Sequence, residues 1–164
     1  MKFNLSEITE LIKSRRSIRP ESFSSRKVQR DQIELIIGNA QWAPNHGKTE
    51  PWRFMVYESE ESRNVLSQAL GKIYLEEVNR ADQNDAKLAK LIRRPLISSV
   101  VIVVCMSRQK EERIPEIEEI EAVACAVQNM HLTATAHGIG GFWSSNAAAT
   151  SDQMRDYIGL SGDD

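Results

Sequence analysis

Three guanidinium groups and a hydroxyl stand close together near the N-terminus: Arg15, Arg16, Ser17 and Arg19, in the run SRRSIR at 14–19. Guanidinium forks grip phosphate through paired, charge-assisted hydrogen bonds, and a neighbouring hydroxyl adds another donor. Cations at the end of a helix also answer its macrodipole, and the run alone does not separate the two roles. A second segment, WAPNHGKTEPW at 42–52, brings Trp42, Asn45, His46 and Lys48 together with Pro44, Pro51 and Trp52. Planar side chains on a proline-stiffened loop suit a wall for a flat aromatic ligand, although tryptophans also anchor loops that do nothing else. The third segment is GIGGFWSS at 138–145. Its glycines allow close backbone approach to a ligand. Trp143, Ser144 and Ser145 add a ring and two hydroxyls, and backbone N–H groups there could meet a ring nitrogen. Gly138, Gly140 and Gly141 lack the spacing of the dinucleotide fingerprint and follow a helix rather than a strand.

These segments need elements to hold them. Asn4 and Glu7 have the spacing of a capping box, and Leu5, Ile8, Leu11 and Ile12 form a helical apolar stripe that stops at the basic turn before Pro20. A second helix is expected over 29–41, with Ile33, Ile36, Ile37 and Ala40 on one face. Residues 52–57, WRFMVY, read as a strand. Helices are expected over 61–80 and 84–93, the latter stopped by Pro95. The run SVVIVVCM at 99–106 has the β-branched density of a central strand buried on both faces. The longest helix is expected over 117–137, with Ile117, Ile120, Ala124, Val127, Met130 and Ala134 on its buried face and Gly138 as its cap. A last helix near 151–159 would be capped by Thr150. Strands alternating with helices, without repeats or linkers, define an α+β or α/β chain.

Composition narrows the function. A chain of 164 residues, 41% hydrophobic and 27% charged, is the size of one globular domain. A net charge of -2 gives no reason to expect nucleic acid or a membrane as partner. Cys105 and Cys125 form no Cys-x-x-Cys pair and read as buried thiols. The N-terminus has no signal-peptide apolar region, so the cytoplasm is the expected compartment. His46, His131 and His137 have no zinc-ligand spacing, and no Gly-x-Ser-x-Gly elbow marks a serine hydrolase.

Taken together and in order, SRRSIR, APNHGKTEPWRFMV (43–56) and GIGGFWSS resemble the nitroreductase family, in particular its small bacterial members. The flanking helices and the 99–106 strand fall in compatible places, so the resemblance covers nearly the whole chain. It implies an α+β sandwich with a central mixed sheet flanked by helices, and residues 1–164 as a single FMN-binding domain. It also implies a homodimer with FMN held at the interface of the two chains. NAD(P)H would be the reductant, and a small flat electrophile, such as a nitroaromatic or quinone, the electron acceptor.

By the same resemblance, Arg15 binds the phosphate or ribityl end of FMN with Arg16 beside it, and Ser17 approaches the ring. Arg19 would stand near N1 and the C2 carbonyl, where a fixed cation stabilises the charge left by reduction and acts catalytically. Trp42, Asn45 and His46 would reach the FMN from the partner chain, and Trp143, Ser144 and Ser145 would lie along the ring. No protein nucleophile is implied, since the flavin carries the hydride in a ping-pong cycle. Where the family often has Gln-Pro-Trp, this chain has Glu50-Pro51-Trp52. Two further readings keep the fold: a flavin-binding module without turnover, and other flavin chemistry such as reductive dehalogenation.

Overall fold

A two-stranded antiparallel sheet divides the helices into two layers in the computed structural model, which describes residues 3–145 and 147–160. The other residues of the expected 1–164 domain lie outside the described ones. In chain order the elements are α1 (Leu5–Ser14), α2 (Arg30–Ala40), β1 (Trp52–Tyr57), α3 (Glu60–Glu77), α4 (Asp85–Ile97), β2 (Val101–Met106), α5 (Glu116–Ala136) and α6 (Asp152–Tyr157). Short 3-10 turns occupy Pro20–Ser22, His46–Lys48 and Ala147–Thr150.

The strands pair from Trp52 opposite Met106 to Tyr57 opposite Val101. Alternation then sends side chains to opposite layers. Trp52, Phe54, Ile102 and Val104 pack with Ile36 and Ala40 of α2 and with Ala122, Ala126, Val127, Met130 and Ala134 of α5. Tyr57, Val101 and Val103 pack on the other side with Leu66, Ile73 and Tyr74 of α3, Leu88 and Leu91 of α4 and Met154 of α6.

Local chemistry explains most boundaries. Asn4 Oδ1 accepts from the N–H groups of Ser6 and Glu7, starting α1. Gln32 reaches back to the Gln29 N–H at the start of α2. Ser59 and Asn84 cap α3 and α4. Gly138 leaves α5 with φ +68°, and the Ile139 N–H closes back on the Ala134 carbonyl at 2.8 Å.

Several expectations are corrected, among them that of two buried thiols: Cys125 is exposed and Cys105 half-buried. Pro95 does not stop α4: the helix continues to Ile97 with Pro95 buried in its last turn. Arg63 of α3 donates to the carbonyls of Pro95, Leu96 and Ser98, which meets the acceptors that a helix end leaves bare. β2 is half-buried along its length rather than enclosed, and the sheet is purely antiparallel among the described strands rather than mixed, because only β1 pairs with β2. The buried face of α5 is Glu119, Ala122, Ala126, Val127, Met130 and Ala134, while Ile117 and Ile120 are exposed. Glu119 can lie in that face because Arg108 pairs with it. The cap of α6 is Ser151, which accepts from the Met154 N–H, rather than Thr150.

Leu66 is fully buried between α3 and its neighbours. Leu66→Ala should therefore lower unfolding stability by roughly 2–5 kcal/mol in urea titration, the range for a cavity that its surroundings cannot refill.

Candidate functional site

The basic turn and the glycine-rich turn, far apart in sequence, touch through their backbones. Ser17 and Gly141 form an isolated parallel bridge, and the Ile18 N–H donates to the Gly141 carbonyl at 3.0 Å. Two glycines make this approach possible. A Cβ at Gly140 would stand 3.1 Å from that of Ile18, and one at Gly141 would stand 3.0 Å from the His131 ring. The bridge thus holds Arg15, Arg16, Ser17 and Arg19 along one strand of backbone and Trp143, Ser144 and Ser145 just beyond the other.

Their side chains are not equivalent. The guanidinium groups of Arg15 and Arg19 have no hydrogen bond or acidic partner among the described residues. Arg16 is committed: its Nη1 donates to the carbonyls of Lys13 and Arg15 and closes the end of α1. Arg16 therefore does the helix-capping work that the sequence left open. Trp143, Ser144 and Ser145 are exposed.

A link from α4 reinforces the same corner. Arg94 Nε donates to Glu21 Oε1 at 3.0 Å, and its guanidinium carbon lies 4.9 Å from the centroid of the Phe142 ring. Arg94 thereby ties the Pro20–Ser22 turn to the glycine-rich segment. The Arg94 guanidinium also holds the Glu21 carboxyl below its ordinary range.

The 42–52 loop stands on left-handed backbone at three positions: Gly47 (φ +66°), Lys48 (φ +56°) and Glu50 (φ +44°). Left-handed conformations at residues other than glycine need support. Asn45 Oδ1 supplies some of it by accepting from the Glu50 N–H at 3.1 Å, so Asn45 shapes the loop. Arg53 Nη1 donates to the carbonyls of Glu50 and Trp52, each at 2.9 Å. His46 Nδ1 meets Glu118 Oε2 of α5 at 2.6 Å. Trp42 is 83% exposed, a large flat surface without cover on this chain. The loop residues are thus oriented by α5 and β1, but among the described residues no hydrogen bond or ion pair joins Trp42, Asn45 or His46 to the Arg15–Gly141 corner.

His131 went unnoticed as a site residue. It lies on α5 beneath Gly141, and burial, followed by the charge of Arg15, pushes its imidazole below the ordinary range. No local motif announces it, because its role depends on a turn packed back over the helix.

The chain belongs to the nitroreductase family: the family model described as "Nitroreductase family" matches residues 12–164. An Escherichia coli K12 protein named "Putative NAD(P)H nitroreductase YdjA" is 29% identical over 129 residues, covering 79% of this chain and 68% of that one. The crystal structure of a nitroreductase-like family protein from Bacillus cereus superposes with a TM-score of 0.76 at 28% identity, over 99% of this chain and 82% of the other. The FMN-dependent nitroreductase NfnB of Mycobacterium smegmatis, solved in complex with NADPH, shares the fold with a TM-score of 0.73 at 21% identity, over 95% and 82% of the two chains. The mixed α+β architecture is accordingly that of nitroreductases, here mostly helical around a small sheet. Among the described residues no helix is long and apolar enough to cross a membrane.

The environment of His131 has a measurable consequence. Its folded pKa lies below the unfolded value, so the unfolded chain binds the proton first on acidification. Its contribution is present above the ordinary imidazole value and is lost as pH falls through the depressed folded one. Urea midpoints at about pH 8 and about pH 5.5 should show the native protein losing more stability than His131→Gln; equal losses would mean that the imidazole protonates freely.

Proposed function

We propose that this chain is an FMN-dependent oxidoreductase that uses NAD(P)H to reduce nitroaromatics, quinones or similar flat electrophiles, acting as a single-domain protein in a homodimer. The observation that carries the reading is the Ser17–Gly141 bridge, which joins a basic turn to a glycine and tryptophan turn. Arg15 and Arg19 beside it keep guanidinium groups uncommitted to any acid among the described residues. The donor set fits FMN: guanidinium for an anionic phosphate, hydroxyl and backbone donors for ring heteroatoms, and exposed indole for a flat face. The names of NAD(P)H nitroreductase relatives and the FMN-dependent structural neighbour point the same way.

Bound FMN would supply a carrier that takes a hydride from NAD(P)H and later gives up the electrons to the acceptor. The chain's own work is binding and electrostatics. Arg15 would hold the phosphate or ribityl end. Arg16 would add its charge nearby while its Nη1 stays on the helix carbonyls. Ser17, Trp143, Ser144 and Ser145 would flank the ring and set its plane. Arg19 would place a fixed positive charge where reduction leaves negative charge, favouring the reduced form. Trp42, Asn45 and His46 would complete the pocket from the partner subunit and exclude water.

The homodimer is supported by apolar surface without cover on one chain. Leu5, Ile8 and Ile12 of α1, Ile117 and Ile120 of α5, and Trp42 are all exposed. Large apolar side chains left in solvent in this number are consistent with an association face.

The first test is an absorbance spectrum after incubation with FMN and desalting, followed by anaerobic addition of NADH or NADPH. A retained flavin spectrum that bleaches with either reductant is expected. Retention without bleaching would reduce the protein to a flavin binder, and no retention would leave only the fold. Arg15→Ala should weaken FMN binding by roughly tenfold or more. Arg19→Ala should lower the flavin potential and slow reduction by roughly 100–1000-fold. An unchanged potential at full FMN occupancy would remove Arg19 from this role.

A further inference from the structure

We propose that the cleft between the 45–50 loop and the β2–α5 connector binds the 2′-phosphate end of NADPH, and so makes this chain discriminate NADPH from NADH. The inference rests on the reductase reading above and adds a second subsite to it. The cleft is an open groove of about 640 Å³. Gly47 and Thr49 line it from the loop, Arg53 from β1, and Arg108, Lys110 and Arg113 from the connector. The loop and the connector meet tightly, since a Cβ at Gly47 would stand 3.2 Å from Ile114 Cδ1.

Four cations in one cleft are unusual for a chain whose net charge is -2. Two of them are fixed in advance. Arg108 Nη1 donates to the Ile114 carbonyl at 2.7 Å and to the buried Glu119 at 2.5 Å. Arg53 Nη1 is held on the carbonyls of Glu50 and Trp52. Each guanidinium keeps further N–H donors for a ligand. The other two, Lys110 and Arg113, are exposed and have no hydrogen bond or ion pair with the described protein. The Thr49 hydroxyl also lacks a partner.

The charge balance selects the ligand. Among the lining residues Glu111 is the one carboxylate and Glu119 pairs with Arg108, so the lining cations outnumber the carboxylates set against them. A phosphate monoester carries about -1.5 to -2 at neutral pH, and planar guanidinium forks match its oxygens. NADPH has such a group and NADH does not. The position agrees with this use: Gly47 and Thr49 belong to the same loop as Trp42 and His46, which are proposed to reach the partner's flavin.

Calorimetry on the purified protein with 2′,5′-ADP and with 5′-AMP tests the site without turnover. The first should bind at least about tenfold more tightly, which corresponds to one step of about 1.4 kcal/mol. The exposed pair Lys110→Glu/Arg113→Glu should abolish that difference while leaving the melting temperature unchanged. In steady-state assays the same variant should raise KM for NADPH by about tenfold or more, with kcat and the NADH parameters unaltered. Equal binding of the two nucleotides by the unmodified protein, or discrimination that survives the charge reversal, would overturn the proposal. Failure to retain FMN would instead overturn the reductase reading, because the calorimetric comparison does not require flavin.

Discussion

The site depends on how closely α5 can lie against α2 and the sheet. Ala122, Ala126 and Ala134 present almost no side-chain bulk to their neighbours, and this lets backbone approach backbone over several turns. Larger residues on that face would push the helix outward and shift everything attached to it. Much is attached: Glu119 near its N-terminus fixes the connector through Arg108, and Glu118 meets His46 of the loop. His131, further along, supports Gly141, and the turn beyond Gly138 carries the glycine-rich segment to Ile18. One helix thus positions all three segments whose residue types promised chemistry.

The Arg108–Glu119 pair shows what such positioning requires. Glu119 is only 1% exposed, and one of its oxygens has no hydrogen-bond partner. Burying a carboxylate is costly, and pairing returns that cost only in good geometry. The value of the pair lies in orientation more than in stability. It pins the end of an otherwise exposed connector to the core and turns the rest of the connector's charges towards the neighbouring cleft.

How much of this could be read beforehand follows from the range of the forces involved. The helices and β1 were legible because apolar spacing and capping residues lie within a few positions of one another: Asn4 with Glu7, Ile33 with Ile36, Gly138 after α5. The three candidate segments were legible from residue types and order. The errors arise where a distant partner overrides a local signal. Arg63 on α3 supports α4 through Pro95, and Arg108 lets Glu119 displace Ile117 and Ile120 from the buried face of α5. The Ser17–Gly141 bridge was not legible, because a backbone hydrogen bond between remote segments has no residue signature. His131 was missed for the same reason, and the basic cleft exists only once β1, the loop and the connector are brought together.

The clamp formed by Arg94 has a consequence of a different kind. Its guanidinium is held by two bonds of unlike nature, a carboxylate on one side and an aromatic face on the other. Dissolved salt weakens the first more than the second, which depends on ring contact, although the partial burial of Arg94 and Glu21 limits the screening. Rising ionic strength would therefore loosen the Pro20–Ser22 turn before it loosens Phe142. The Ser17–Gly141 bridge would keep the two walls of the corner joined, so the slack would fall on the hold of the Pro20–Ser22 turn against α4.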